Sequence, residues 1–164
     1  MTGSILELCI SRGGLPKLPI PEGVLTPLGI EGDGHDHPRF HGGPKQALLI
    51  VSFEGLQELI AQGYALFPGA LGENVTTTGI DRRQMRTGQR YRLGETFIEL
   101  TKLRTPCTAL DVYGPEIKTT VYDRQVKAGD PSSPRWALGG FYASVLRPGF
   151  IRRNDIIELI DQVV

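Results

Sequence analysis

Gly88-Gln89-Arg90-Tyr91-Arg92-Leu93-Gly94-Glu95-Thr96-Phe97-Ile98-Glu99-Leu100 reads as two strands joined by a tight turn over Leu93, Gly94 and Glu95. A hairpin of this kind commits the chain to β architecture. The rest of the sequence agrees, because 21 glycines and 12 prolines punctuate 164 residues at intervals too short for a helical bundle. A mainly β, barrel-like fold with a few short helices is the expectation. The length suits one domain, residues 1–164, with a core that needs no disulfide.

The second strand of the hairpin runs on into Leu103-Arg104-Thr105-Pro106-Cys107-Thr108. Thr105 suits an N-cap and Pro106 the first helical position, so Cys107 is expected in the first turn of a short helix running to Val112. There the helix dipole and the Arg104 guanidinium would both favour the thiolate. Such a cysteine is a ligand, a nucleophile or a sulfur carrier, unless it is an inert thiol that merely packs. The other cysteine, Cys9, lies in the strand-like residues 4–10 and reads as structural.

Upstream, Ser52 caps a predicted helix in which Phe53, Leu56, Leu59 and Ile60 recur at helical spacing until Gly63 stops it. A buried strand, 46–51, precedes it. Downstream, residues 116–128 read as helix or an extended excursion, and 140–146 and 155–160 as strands. Gly13-Gly14-Leu15-Pro16-Lys17 reads as an irregular loop whose lysine is either solvated or anion-binding. Asn74 stands between Gly72-Glu73 and a β-branched run, where its amide either fixes the loop backbone or meets a ligand. The basic run 81–86 reads as a solvated turn.

Lys+Arg and Asp+Glu balance at 18 each, so no bulk electrostatics point to nucleic acid or an anionic membrane surface. Neither a leader nor an apolar spanning segment is visible, and with two cysteines the expected compartment is a reducing cytoplasm.

All three histidines fall within residues 29–44, together with Asp33, Asp36 and Arg39. Asp33, His35, His37 and His41 are candidate ligands for zinc or another divalent ion, which would suit a metal-dependent hydrolase. Arg39 and His41 alternate along an extended segment and would instead offer donors to a phosphate or oxyanion.

The ordered series of short motifs resembles the MOSC domain, a relative of the C-terminal domain of molybdenum-cofactor sulfurases. The matching pieces are Gly-Gly-Leu-Pro-Lys at 13–17, Gly-Ile-Glu-Gly-Asp at 29–33, His-Gly-Gly-Pro at 41–44, Gly-Glu-Asn at 72–74, Arg-Thr-Pro-Cys at 104–107 and Phe-Tyr-Ala-Ser-Val-Leu-Arg-Pro-Gly at 141–149. The resemblance implies a MOSC-type β-barrel binding a molybdenum cofactor (molybdopterin) beside an essential cysteine. By matching position that cysteine is Cys107, as molybdenum ligand or persulfide carrier. Lys17, Arg39, His41 and Arg104 would neutralise the cofactor phosphate, and Asn74 would hold the pterin or its loop.

The sequence departs from the family at Lys45-Gln46, where an acidic and then a basic residue are usual, and at Phe141, where a tryptophan is usual. Pyridoxal phosphate, used by a separate domain of the sulfurases, has no supporting lysine context here. Two functions follow from the resemblance. One is an oxidoreductase that reduces N-hydroxylated bases or related N-oxygenated small molecules with electrons from an external donor protein. The other is a sulfur-carrier or cofactor-delivery module served by a sulfur donor protein. A homodimer is left open.

Overall fold

A computed structural model describes residues 1–34 and 42–161. Seven strands close into a barrel: β1 (Thr2–Ile10), β5 (Leu48–Ser52), β6 (Val75–Thr78), β7 (Arg90–Leu93), β8 (Thr96–Leu103), β9 (Phe141–Arg147) and β11 (Ile156–Asp161). The circuit runs β1, β11, β7, β8, β9, β5, β6 and back to β1. β1 closes it by pairing β11 through its first residues, β6 along its other edge, and the short β2 (Leu18–Ile20) through its last three. A separate sheet of β3 (Glu22–Thr26), β4 (Gly29–Ile30) and β10 (Gly149–Arg152) adds Leu25, Ile30 and Ile151 to the core. The mainly β barrel expected from the sequence is borne out.

Among the described residues only β5 and β6 run parallel, and such a pair needs a crossover. The crossover holds α1 (Phe53–Ala61), whose first turn is capped by Ser52 Oγ accepting from the Gly55 N–H at 3.2 Å. All five residues of β5 are buried because the strand is covered on both faces. Leu48 and Ile50 enter the barrel core, while Leu49 and Val51 face outward into a second cluster with Leu56, Leu59 and Leu71. That outer cluster continues under residues 108–122, where Leu110, Ile117 and Val121 close over it.

Local details sharpen or correct the sequence reading in four places. The 46–51 strand begins at Leu48, since Pro44–Gln46 form a 3-10 turn. Residues 116–128 form two short helices, α2 (Ile117–Val121) and α3 (Arg124–Lys127). The run 81–86 is not a wholly solvated turn: Arg82 is buried, bound to Glu58 at 2.7 Å and to the backbone carbonyls of Pro134 and Trp136. Trp136 meets Phe141 edge-on at 6.1 Å and donates its indole N–H to the Met85 carbonyl, so a tryptophan still packs against the start of β9.

Among the described residues no helix is long and apolar enough to cross a membrane.

Candidate functional site

The outward face of β8, β9 and β5 forms the floor of a cavity of about 620 Å³, roofed by the 104–109 segment and walled by the loops at 14–17 and 71–74. Register decides which side chains share that floor. Tyr142 pairs with Leu49 on one side and with Lys102 on the other, so the three stand abreast, and all line the cavity. A bulge in β8 between Leu100 and Lys102 sets this arrangement. The extra residue turns Lys102 outward beside Tyr142 and leaves Leu103 opposite Phe141.

Cys107 lies on the cavity wall and is half-buried. The structure corrects its local setting. The helix after it is a 3-10 helix, Thr108–Tyr113, and Cys107 is its N-cap in extended conformation (φ −114°, ψ 173°), not a residue of its first turn. Thr105 therefore caps nothing. Proline disfavours helical backbone in the residue before it, which keeps Thr105 outside the helix. The Tyr113 hydroxyl ties the far end of the 3-10 helix to the Ala70 carbonyl at 2.6 Å, fixing the roof to the wall.

Arg104 is 5% exposed. Its backbone N–H joins Gly140 at 2.9 Å, its Nη2 donates to the Leu71 carbonyl at 3.0 Å, and its buried Nη1 has no partner among the described residues. An unsatisfied buried guanidinium N–H costs free energy, so a polar partner at this point of the cavity would be stabilising.

Lys17 is not solvated. It is buried and bridges both oxygens of Asp33, at 2.6 and 2.7 Å, with side-chain exposures of 8% and 3%. Asp33 also accepts from the Ser11 N–H at 3.0 Å and from Asn74 Nδ2 at 2.9 Å. The carboxylate considered for a metal is thus the counter-ion of Lys17. Among the described residues no three His, Cys, Asp or Glu side chains gather to hold a metal ion. His35, His37, Arg39 and His41 lie outside the described residues.

Asn74 acts as a backbone clamp. Its Oδ1 accepts from the Leu49 N–H at 3.1 Å while Nδ2 donates to the Cys9 carbonyl at 3.2 Å and to Asp33. Both amide hydrogens are spent, which favours the loop-fixing role over a ligand contact. Beneath it Glu73 is fully buried, accepting from the Gly69 and Leu71 N–H groups at 2.8 and 3.0 Å and from the Thr76 hydroxyl at 3.2 Å. Burial pushes its carboxyl pKa up against those three donors. Gly69 allows the close packing here, with φ +94° and no room for a Cβ against the Lys17 carbonyl.

Lys17, Asn74, Arg104 and Cys107 therefore share one cavity. Lys102, which lies outside every family motif, and Tyr142, which lies within the 141–149 motif but had no role assigned to it, join them. Lys102 has no carboxylate partner among the described residues, and its Nζ sits 5.7 Å from the Tyr142 ring centroid. With the Lys17 and Asp33 charges cancelling, Arg104 and Lys102 leave the described cavity cationic.

A family model, the MOSC domain, matches residues 37–158. The chain belongs to the MOSC domain family. Protein YiiM of Escherichia coli is 30% identical over 144 residues, covering 85% of this chain and 60% of its own length. YflK of Bacillus subtilis is 28% identical over 154 residues, 91% of this chain and 64% of that one, so the chain spans less than two thirds of both relatives. The crystal structure of E. coli YiiM superimposes with a TM-score of 0.72 over 99% of this chain and 71% of that chain, at 23% identity, a likeness of fold.

The two cysteines of this MOSC domain differ sharply. Cys9 is fully buried, and burial, followed by the Glu73 and Glu7 carboxylates, pushes its thiol up to about 12. Cys9 therefore stays a protonated thiol near neutral pH. Iodoacetamide on native, cofactor-free protein is expected to modify Cys107 and spare Cys9 until the chain unfolds, as read by peptide mass spectrometry. Native labelling of Cys9 at the Cys107 rate would contradict its structural role.

Proposed function

We propose that this MOSC protein binds a molybdenum cofactor in the cavity and acts as an oxidoreductase that reduces N-hydroxylated bases or related N-oxygenated compounds, with Cys107 as a molybdenum ligand. The observation that carries the reading is Arg104, buried on the cavity wall with Nη1 unpaired. Its chemistry suits the phosphate or another anionic group of such a cofactor, because a guanidinium fork meets an oxyanion with directed, charge-assisted hydrogen bonds.

The other residues present fit as well. Cys107 offers a soft sulfur donor suited to a soft metal centre. Lys102 adds a second cation near the Tyr142 ring, and Leu49, Leu71 and Pro106 give apolar walls for a flat ring system. Lys17 and Asn74 act differently in this reading from their motif-based expectation. They hold the wall in place through Asp33 and the backbone and do not grip the phosphate themselves. When bound, the cofactor supplies a centre that takes oxygen from nitrogen and exchanges electrons with an external donor. Arg104 would hold an anionic group of the cofactor, and Cys107 Sγ would hold its metal.

The test is molybdenum analysis and pterin fluorescence on wild type and Cys107→Ser, both produced in a host that makes the cofactor. Wild type is expected to carry both, and Cys107→Ser to retain roughly tenfold less molybdenum or lower, the loss typical of disturbed metal coordination. A wild type without molybdenum but with a cyanide-labile sulfur on Cys107 would replace this reading with the sulfur-carrier one.

A further inference from the structure

A hydroxyl on the cavity floor is not used by the proposed cofactor contacts. Tyr142 is half-buried, its ring flanked by Leu49 and Lys102 in adjacent strands, and its phenol borders the same space as Cys107 and Arg104. Phenols buried this far generally find a partner for their O–H, and three of the other four tyrosines do so among the described residues, the exception being Tyr122. Tyr91 donates to Gln89 at 2.9 Å, Tyr113 to Ala70 at 2.6 Å, and Tyr64 is bonded to Thr120 at 2.8 Å. Among the described residues no hydrogen bond engages the Tyr142 hydroxyl, which is left facing the cavity.

We propose that Tyr142 is the specificity-determining hydrogen-bond donor of this site, its Oη–H holding the oxygen of an N–O group so that the oxygenated substrate is preferred over its deoxygenated product. This rests on the reductase reading. The geometry gives the role its direction. Lys102 lies over the ring and strand pairing fixes the backbone on both sides, so the phenol is held with little freedom to lose on binding. Of the residues beside the phenol, Arg104 is assigned to the cofactor's anionic end and Lys102 holds its ammonium over the ring. Arg104 has one N–H spent on Leu71, and Leu49 brings no polar side chain. Burial keeps the phenol protonated, raising its pKa against the pull of the Arg104 guanidinium.

The reaction explains why such a donor helps. Reducing R–NH–OH to R–NH₂ breaks the N–O bond, takes two electrons from the external donor and two protons from solvent, and releases the oxygen as water. A donor on that oxygen stabilises the bound substrate and disappears as a contact once the oxygen has left, which promotes product release.

The experiment measures binding of N-hydroxyadenine and of adenine by calorimetry, without reductant, to wild type and Tyr142→Phe, with molybdenum content determined on each preparation. Wild type is expected to bind the hydroxylated base about tenfold more tightly than adenine, the worth of one well-made hydrogen bond. Tyr142→Phe is expected to bring that ratio within about twofold while keeping wild-type molybdenum content and melting temperature. An unchanged ratio in Tyr142→Phe overturns the role of Tyr142, and so does equal binding of the two bases by wild type. Loss of molybdenum in Tyr142→Phe alone would make it a cofactor-holding residue and likewise overturn the proposal. Absence of molybdenum from wild type overturns the reductase reading, a result separate from the binding ratio.

Discussion

Asp33→Ala is expected to lower the melting temperature by roughly 10 °C or more. Removing this carboxylate strands the Lys17 ammonium, whose hydrogen bonds both go to Asp33, in a site where it is 8% exposed. Breaking a buried ion pair from one side costs about 3–5 kcal/mol, because the remaining charge is desolvated with nothing opposite it. For a chain of this size each kcal/mol moves the midpoint by about 2–4 °C. The pair is also asymmetric. Lys17→Met leaves Asp33 with the Ser11 N–H and Asn74 Nδ2, so it is expected to cost clearly less than Asp33→Ala. Thermal and urea unfolding of the two variants measures the order. Equal losses would mean that the charge on Lys17 is compensated by something other than Asp33.

Arg104→Met is expected to do the opposite: weaken cofactor retention about a hundredfold while leaving the melting temperature within a few degrees of wild type. Truncating one partner of a buried charged contact costs a complex about 2–5 kcal/mol, enough for that loss. In the ligand-free protein the guanidinium is itself a burden, since Nη1 is buried without a partner and only Leu71 accepts from the side chain. Methionine fills similar volume, removes the unpaired donors and gives up that one hydrogen bond, so the stability terms nearly cancel. Molybdenum content after dialysis, set beside calorimetric unfolding, reads both halves. A large drop in stability with cofactor content unchanged would make Arg104 a structural residue and remove the observation on which the proposed function stands.

These two expectations arise from one feature of the site. Of its buried cations, one is neutralised within the chain and one is not. The loops at 14–17 and 71–74 are held in shape by Asp33, Asn74 and Glu73, which spend their hydrogen bonds on backbone, on Lys17, on Thr76 and on one another. The Arg104 donor opposite is left unspent. A frame satisfied from within and a wall unsatisfied on its inner side are what a preorganised anion site requires.

The sequence alone determined the elements whose signals are local. The hairpin of β7 and β8 follows from its turn, α1 from Ser52 and the spacing of its apolar residues, and the mainly β class from the density of glycine and proline. The motif series determined the family and placed Arg104 and Cys107 on the page together, since three residues apart they cannot separate far. Tertiary structure alone decided the rest. Lys17 and Asp33 are 16 residues apart on irregular segments, and nothing local tells a lysine whether it will meet solvent or a buried carboxylate. The burial of Arg82 depends in the same way on carbonyls more than 50 residues downstream.

The neighbours Lys102 and Tyr142 are the clearest case. Side chains alternate along a strand with period two, so one bulge between Leu100 and Lys102 moves every later residue of β8 to the opposite face. Where that bulge falls is settled by closing the barrel around its core. The floor of the cavity, and with it the phenol facing Cys107 and Arg104, is therefore a property of the closed sheet and not of any stretch of sequence.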